Sequence, residues 1–183
     1  MIFEELPLKN SFLILPEMIK DDRGEFGRIY CCEEFGRFIE GKKIVQVNHS
    51  VNKHKGTIRG MHYQQTPHLE AKMIRCIKGA VYDVIIDIRI NSKTFLKWYS
   101  VELSAMNKKM LYVPEGFAHG FQVLLDDTEL IYFHTGFYNK KSEGGISYND
   151  PQLGIKWPLP PAYLTDRDLS NALIDNNFKG VLL

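Results

Sequence analysis

Short runs that alternate between apolar and polar residues, separated by glycine, proline and asparagine, recur along the whole chain. In the clearest run, Ala80 to Ile90, apolar side chains mark one face (Tyr82, Val84, Ile86 and Ile88) and charged side chains mark the other (Asp83, Asp87 and Arg89). A period of two residues is that of a β-strand. Further strands are predicted around Ile2–Leu6, Phe12–Ile14, Phe26–Tyr30, Ile44–Asn48, Thr57–Gln64, Lys72–Ile77, Phe95–Leu103, Met110–Val113, Phe117–Leu125 and Glu129–His134. Short strands at this spacing predict an all-β barrel or sandwich.

Helical signals are few and short. Cys32 to Ile39 is compatible with one short helix, and Thr165 is a predicted N-cap with Asp168 three residues further on. The tail from Leu173 to Leu183 packs as a short helix or lies loose. With no repeat, linker or low-complexity tract, the chain is predicted to be one domain, residues 1–183.

Composition limits the classes of function. The 183 residues hold 23 Lys and Arg against 22 Asp and Glu, so the chain lacks the basic field that nucleic-acid binding requires. No apolar stretch is long enough to span a bilayer, and the first residues lack the features of a signal peptide. The three cysteines, two of them adjacent at Cys31 and Cys32, indicate reduced thiols and a cytoplasmic protein.

The stretch from Gly56 to Gln64 carries a candidate site. Strict alternation would place Arg59 and His62 on opposite faces of a strand. Both can reach one pocket only if the strand bulges, and Gly60 is where that distortion costs least. Taken alone, His62 is better explained as an ordinary core histidine of a β-barrel, and only the rest of the chain favours a functional role.

Three histidines, His62, His68 and His119, indicate either a metal site or an acid–base site. Pro114-x-Gly116-x-x-His119 resembles the second metal-binding motif of cupin barrels. The first cupin motif is incomplete, because Tyr63-Gln64 follows His62 and glutamine is a poor ligand for a transition metal. A metal-free site is therefore predicted. The alternatives are a metal-dependent cupin enzyme, using His62, His68, Glu70 and His119, and a non-catalytic sugar-binding barrel.

Together these motifs resemble the dTDP-4-dehydrorhamnose 3,5-epimerase family. The resemblance covers nearly the whole chain and rests on Gly60-Met-His62-Tyr-Gln64, Glu70-Ala-Lys72, Val113-Pro-Glu-Gly-Phe-Ala-His119-Gly-Phe121, Asp22-Arg23-Gly24, Gln46-x-Asn48, Tyr132, Asn149-Asp-Pro151 and Thr165-x-x-Asp168. It implies a cupin-type jelly-roll barrel with short peripheral helices and no metal or cofactor. It also implies a homodimer that exchanges N-terminal strands, and a nucleotide-diphosphate-linked 4-keto-6-deoxyhexose as substrate.

The implied reaction is epimerisation at C3, C5 or both, in deoxysugar and surface polysaccharide biosynthesis. Such inversion needs a base, a stabilised enolate and an acid on the opposite face. By resemblance, His62 is the base paired with Asp168, Lys72 stabilises the oxyanion and Tyr132 is the acid. The implied substrate contacts are Arg23 at the diphosphate, Gln46, Asn48, Arg59, His119, Glu143 and Arg167.

One position departs from the family pattern. Many members carry a glutamate where this chain has Arg28. The reversed charge does not alter the acid–base residues, but it affects which nucleotide the protein recognises.

Overall fold

Two β-sheets face each other in the computed structural model, which describes residues 1–38 and 41–183. The strands are β1 (Ile2–Glu5), β2 (Phe12–Leu15), β3 (Met18–Asp21), β4 (Gly24–Gly27), β5 (Gln46–Asn52), β6 (Ile58–Gln64), β7 (Lys72–Lys78), β8 (Ala80–Asp87), β9 (Trp98–Ser104), β10 (Met110–Val113), β11 (Phe117–Val123), β12 (Thr128–His134) and β13 (Glu143–Gly145). The helices are α1 (Cys32–Phe35) and α2 (Asp166–Leu169), with a 3₁₀ turn at Lys140–Ser142.

The first sheet has the strand order β1-β2-β10-β7-β12-β5, and the second has the order β13-β6-β11-β8-β9. Neighbouring strands are antiparallel throughout both sheets, while β3 and β4 form a separate hairpin. This is the all-β architecture that the strand spacing predicted, and the jelly-roll barrel with short peripheral helices that the family resemblance implied. No helix in the described part of the chain is long and apolar enough to cross a membrane.

The main core lies between the sheets, where Ile74, Leu111 and Leu130 of the first sheet pack against Val81 and Ile85 of the second. The outer face of the second sheet is also covered, by the chain after β13. The outer face of the first sheet is partly covered by Phe35 of α1. Burial on both faces explains why β8 carries apolar residues at nearly every position.

The inward face of the first sheet changes from apolar to polar along its strands. On β12 the inward residues run from Leu130, in the core, to Tyr132 and His134. Tyr132 lies opposite Ile74, and His134 lies opposite Lys72 on β7. The polar end of the interior is therefore built on the same strands as the core.

Some predicted boundaries differ from the structure. The predicted strand Phe26–Tyr30 is observed as Gly24–Gly27, because the chain leaves the hairpin after Gly27 and Arg28 pairs with Glu34 at 2.8 Å. Its partner β3 was not predicted. The helix predicted from Cys32 ends at Phe35, and Ile39, where it was predicted to end, lies outside the described residues. The tail has no helix; it packs through buried Val181, which bridges to Arg89.

Candidate active site

A bulge on β6 brings Arg59 and His62 to one side of the strand, as the sequence predicted. Against β11, His62 pairs with His119 and Arg59 pairs with Phe121, so β6 has one more residue between the pairs than β11. Gly60 makes this possible with a φ of +129°. A Cβ at Gly60 would lie 2.5 Å from Gly120 Cα. Only glycine therefore allows β6 and β11 to approach this closely.

His62 forms a close pair with Asp168, the buried carboxylate of α2. Nε2 of His62 lies 2.6 Å from Oδ1 of Asp168, and the Thr165 side chain accepts from the Asp168 backbone amide as the predicted N-cap. Burial raises the pKa of Asp168, but the hydrogen bond and charge of His62 and the charge of Arg167 outweigh it, so the pKa lies below its usual value. Asp168 is therefore a carboxylate that fixes the imidazole tautomer.

With Nε2 donating to Asp168, the nitrogen of His62 that can accept a proton is Nδ1. Arg167 lies against the same ring, with Nη2 2.8 Å from Nε2 and 3.4 Å from Nδ1, and its Nη1 donates to Glu143 at 2.8 Å. The His62 side chain is 23% exposed, so it is open to a ligand.

A second histidine–carboxylate pair lies deeper in the interior. His119 Nε2 is 2.8 Å from Asp83 Oδ1, and the His119 side chain is only 6% exposed. Burial raises the pKa of Asp83, although the charge of His119 acts in the opposite direction. From its sequence pattern Asp83 was assigned only to a strand face; the signal for its role was a carboxylate in the middle of the mostly apolar strand β8.

Lys72 enters the interior from β7 and is paired with Glu70. Its Nζ lies 3.0 Å from Glu70 Oε1, and its side chain is 13% exposed. The other oxygen of Glu70, Oε2, lies 2.7 Å from His134 Nδ1. Sequence reasoning missed His134, because nothing in its local pattern on β12 indicates a partner 64 residues away.

Tyr132 projects between two imidazoles on the inward face of β12. Its ring centroid lies 6.1 Å from those of both His119 and His134. Burial, with Asp83 nearby, raises the pKa of Tyr132 well above its usual value although Arg59 opposes the shift. The phenol is therefore protonated at neutral pH and can donate a proton.

Most of the predicted site residues line two adjoining cavities. The Tyr132 cavity, of about 250 Å³, is lined by Asn48, Ser50, Arg59, His62, Lys72, His119, Phe121, Tyr132, His134 and Arg167. The Glu143 cavity, of about 270 Å³, is lined by Gln46, Asn48, His62, Tyr63, Gln64, Glu70, Lys72, His134, Tyr138 and Glu143. Since both share Asn48, His62, Lys72 and His134, an elongated ligand can occupy them together.

Arg23 is the predicted site residue that lies apart. It projects from the β3–β4 hairpin with its side chain 90% exposed and paired with Asp21 at 2.6 Å. It lines neither cavity within one chain. Arg28, which directly follows the hairpin, likewise lines neither cavity.

The histidines of the alternative metal site have other partners. His68 Nε2 lies 2.9 Å from Asn139 Nδ2, and His62 and His119 each pair with an aspartate. Within residues 1–38 and 41–183, no group of three or more histidine, cysteine, aspartate and glutamate side chains is arranged to hold a metal ion.

Comparison with known proteins gives consistent matches. The family model for dTDP-4-dehydrorhamnose 3,5-epimerase matches residues 5–176. The chain is 44% identical to the dTDP-4-dehydrorhamnose 3,5-epimerase of Shigella flexneri over 157 residues, which cover 85% of this chain and 86% of that protein.

Solved structures agree in fold. The dTDP-4-dehydrorhamnose 3,5-epimerase of Elizabethkingia anophelis superposes with a TM-score of 0.92 at 39% identity, covering 97% of this chain and 98% of that one. The dTDP-6-deoxy-D-glucose-3,5-epimerase of Legionella pneumophila, in complex with dTDP-4-keto-L-rhamnose, gives a TM-score of 0.91 at 34% identity. The match covers 98% of this chain and 97% of that one.

Proposed function

Because the chain belongs to the dTDP-4-dehydrorhamnose 3,5-epimerase family, it is an isomerase of nucleotide-linked 4-keto-6-deoxyhexoses, and we propose that His62 and Tyr132 carry out its proton transfers. The observation that carries this assignment is the position of the two side chains. His62 stands on the second sheet and Tyr132 on the first, and both line the Tyr132 cavity. A sugar ring between the facing sheets has a base on one face and an acid on the other.

The first step removes a proton from a carbon beside the C4 ketone. Nδ1 of His62 takes the proton, and the Asp168 carboxylate stabilises the imidazolium that forms. Arg167, whose guanidinium lies against the His62 ring and lines the Tyr132 cavity, contacts the bound substrate. C3 and C5 both flank the carbonyl, so one base can serve either carbon.

The enolate that results needs a positive partner at its oxygen. Lys72 lines the cavity with an ammonium group that is nearly excluded from water, where a fixed charge stabilises an anion more strongly than in solvent. Such a group is worth about 3 kcal/mol by analogy with one oxyanion-hole donor. Tyr132 then returns a proton to the opposite face, which inverts the carbon.

The Glu143 cavity takes the nucleotide end of the substrate, and dTDP is the proposed nucleotide. Gln46, Asn48 and Glu143 offer amide and carboxylate groups along that cavity, while Arg59 and His119 contact the sugar in the Tyr132 cavity. The dTDP-sugar bound by the Legionella protein supports this choice.

The active unit is a homodimer of single-domain chains. The β3–β4 hairpin exposes Ile19 at 71% and Phe26 at 76%, next to Arg23, which a single chain leaves outside its cavities. Exposed apolar side chains of this size favour an interface. When the N-terminal strands are exchanged, the hairpin crosses to the partner, and Arg23 binds the substrate diphosphate in the partner's site.

The compartment is the cytoplasm. The three cysteines are free: Cys31, Cys32 and Cys76. Burial raises the pKa of the Cys76 thiol to about 11, so that residue is an inert core side chain rather than a redox group.

The proposed function is tested by turnover in deuterated water with dTDP-linked 4-keto-6-deoxyglucose. We expect deuterium at C3, C5 or both, with inverted configuration by NMR. The GDP-linked sugar serves as the matched comparison, and faster exchange with it would overturn the choice of nucleotide. Absence of exchange with both sugars would overturn the proposed function.

A further inference from the structure

We propose that His134 is a positioning residue, which binds one oxygen of Glu70 and thereby holds the Lys72 ammonium towards the substrate carbonyl. This inference rests on the proposed role of Lys72 in stabilising the enolate. It assigns a function to the Glu70–His134 pair.

The geometry divides the Glu70 carboxylate between two partners. Oε1 lies 3.0 Å from Lys72 Nζ, and Oε2 lies 2.7 Å from His134 Nδ1. The side chains of Glu70 and His134 are only 7% and 9% exposed. Since His134 occupies Oε2, Glu70 binds the ammonium through a single oxygen, and further Lys72 N–H donors remain for the cavity.

His134 is itself held from its other side. Asn48 Nδ2 lies 3.3 Å from His134 Nε2, and Gln46 Nε2 donates to Asn48 Oδ1 at 3.1 Å. In this arrangement Nε2 accepts and Nδ1 carries the proton that it donates to Glu70. The chain of hydrogen bonds runs from β5 through His134 on β12 and then Glu70 to Lys72, so two strands beside the lysine help to orient its ammonium group.

This arrangement also affects the charge available to the substrate. A carboxylate paired with Lys72 alone would offset most of the positive charge that the enolate requires. A donor on the second oxygen draws part of the negative charge of Glu70 away from the lysine. Burial raises the pKa of Glu70, but the hydrogen bond from His134 and the charge of Lys72 act in the opposite direction and hold that pKa below its usual value.

The experiment compares two amides that replace different nitrogens of the ring. In His134→Asn the amide nitrogen lies near the position of Nδ1 and can still donate to Glu70. In His134→Gln it lies near the position of Nε2 and loses that contact. A hydrogen bond to a charged group changes an equilibrium or rate constant by a factor of about 10 to 100. We therefore expect His134→Gln to lower kcat by roughly 10-fold or more at nearly unchanged KM. His134→Asn should recover most of kcat.

Two controls separate positioning from a merely structural role. In a Lys72→Met background, His134→Gln should cost little further kcat, because the residue that it positions is gone. His49→Gln removes an exposed histidine that pairs with Glu129 at 3.0 Å on the same sheet, and it should leave kcat unchanged. Thermal unfolding of every variant reports folding.

The inference is overturned if His134→Asn and His134→Gln lower kcat equally. It is also overturned if His134→Gln raises KM without lowering kcat, or if it lowers kcat by the same factor with and without Lys72. The tautomer of His134 by ¹⁵N NMR tests the arrangement without turnover. We expect Nδ1–H, and Nε2–H would overturn the inference even if the unaltered protein is an active epimerase. Inactivity of the unaltered protein counts instead against the proposed function.

Discussion

At the scale of single residues, His62 and His119 share a chemistry but differ in environment. Each binds an aspartate, and both line the Tyr132 cavity. The pKa of Asp168 is held down by His62 and Arg167, whereas burial raises the pKa of Asp83. The carboxylate beside His62 therefore favours its ionised form more than the one beside His119, which suits it to stabilise the imidazolium that forms when His62 takes a proton.

This difference predicts that His62→Asn folds but loses proton exchange. A general acid or base typically accelerates a reaction by roughly 10²–10⁴-fold, so the exchange rate should fall by that factor or more. Deuterium incorporation into the substrate measures it directly. His119→Asn is the comparison, and it should affect KM more than the rate of exchange. If His62→Asn exchanges protons at a rate within a few-fold of the unaltered protein, His62 is not the base.

Tyr132→Phe should separate removal of the proton from its return. The ring still packs against the core, while His62 and Lys72 can still form the enolate. We expect deuterium to enter the substrate with retained configuration, because reprotonation can come only from the face of His62. NMR of the product distinguishes the outcomes, and normal inversion would show that another group is the acid.

At the scale of elements, the bulge of β6 is the feature on which the site depends. It turns both Arg59 and His62 inward, and it requires the contact between Gly60 and Gly120. The backbone of His119, on the neighbouring strand, lies at the same contact. Any side chain at position 60 must therefore separate the strands that carry the two histidines.

Gly60→Ala tests this with a control that the chain supplies. Gly24 has nearly the same φ, +132° against +129°, but nothing lies within 4 Å of a Cβ built there. Both substitutions carry the backbone strain, and only Gly60→Ala adds the clash with the backbone of β11. We expect the free energy of unfolding to fall by about 1–3 kcal/mol more in Gly60→Ala than in Gly24→Ala. Equal losses in urea denaturation would contradict this explanation.

The strands of the two sheets, apart from the three-residue strand β13, were predictable because their inward positions repeat every two residues. The hairpin strand β3 was not, because three of its four residues are exposed and only pairing with β4 orders it. The bulge was predictable as the condition for Arg59 and His62 to share a pocket, and Gly60 marked its place. By contrast, the contact of His62 with Asp168 spans 106 residues and followed only from the family resemblance, and Asp83 and His134 carry no local signal of their partners.

At the scale of the whole molecule, one chain does not bring all the proposed substrate contacts together. The two cavities contain the predicted acid–base residues, whereas Arg23 stands on an exposed hairpin. The exposed apolar residues Val47 and Val51 on β5, an edge strand, add to the surface that a second copy can cover.

Mixed dimers test whether the site is shared between copies. Arg23→Glu and His62→Asn protomers, each nearly inactive alone, are unfolded together and refolded. Random pairing makes half of the dimers mixed, and each mixed dimer has one site with both native residues, so about a quarter of the activity should return. Light scattering confirms the dimer, and failure to recover activity would place Arg23 in its own chain's site or outside any site.

The polar end of the interior also has a consequence for engineering. Lys72, Tyr132 and His134 stand on strands whose next inward residues belong to the main core. Apolar side chains at these positions would extend that core and spare the desolvation of buried polar groups. Variants selected for stability without regard to turnover should therefore accumulate substitutions at these three positions. The polar side chains there are needed for catalysis and make the folded state less stable than apolar ones would.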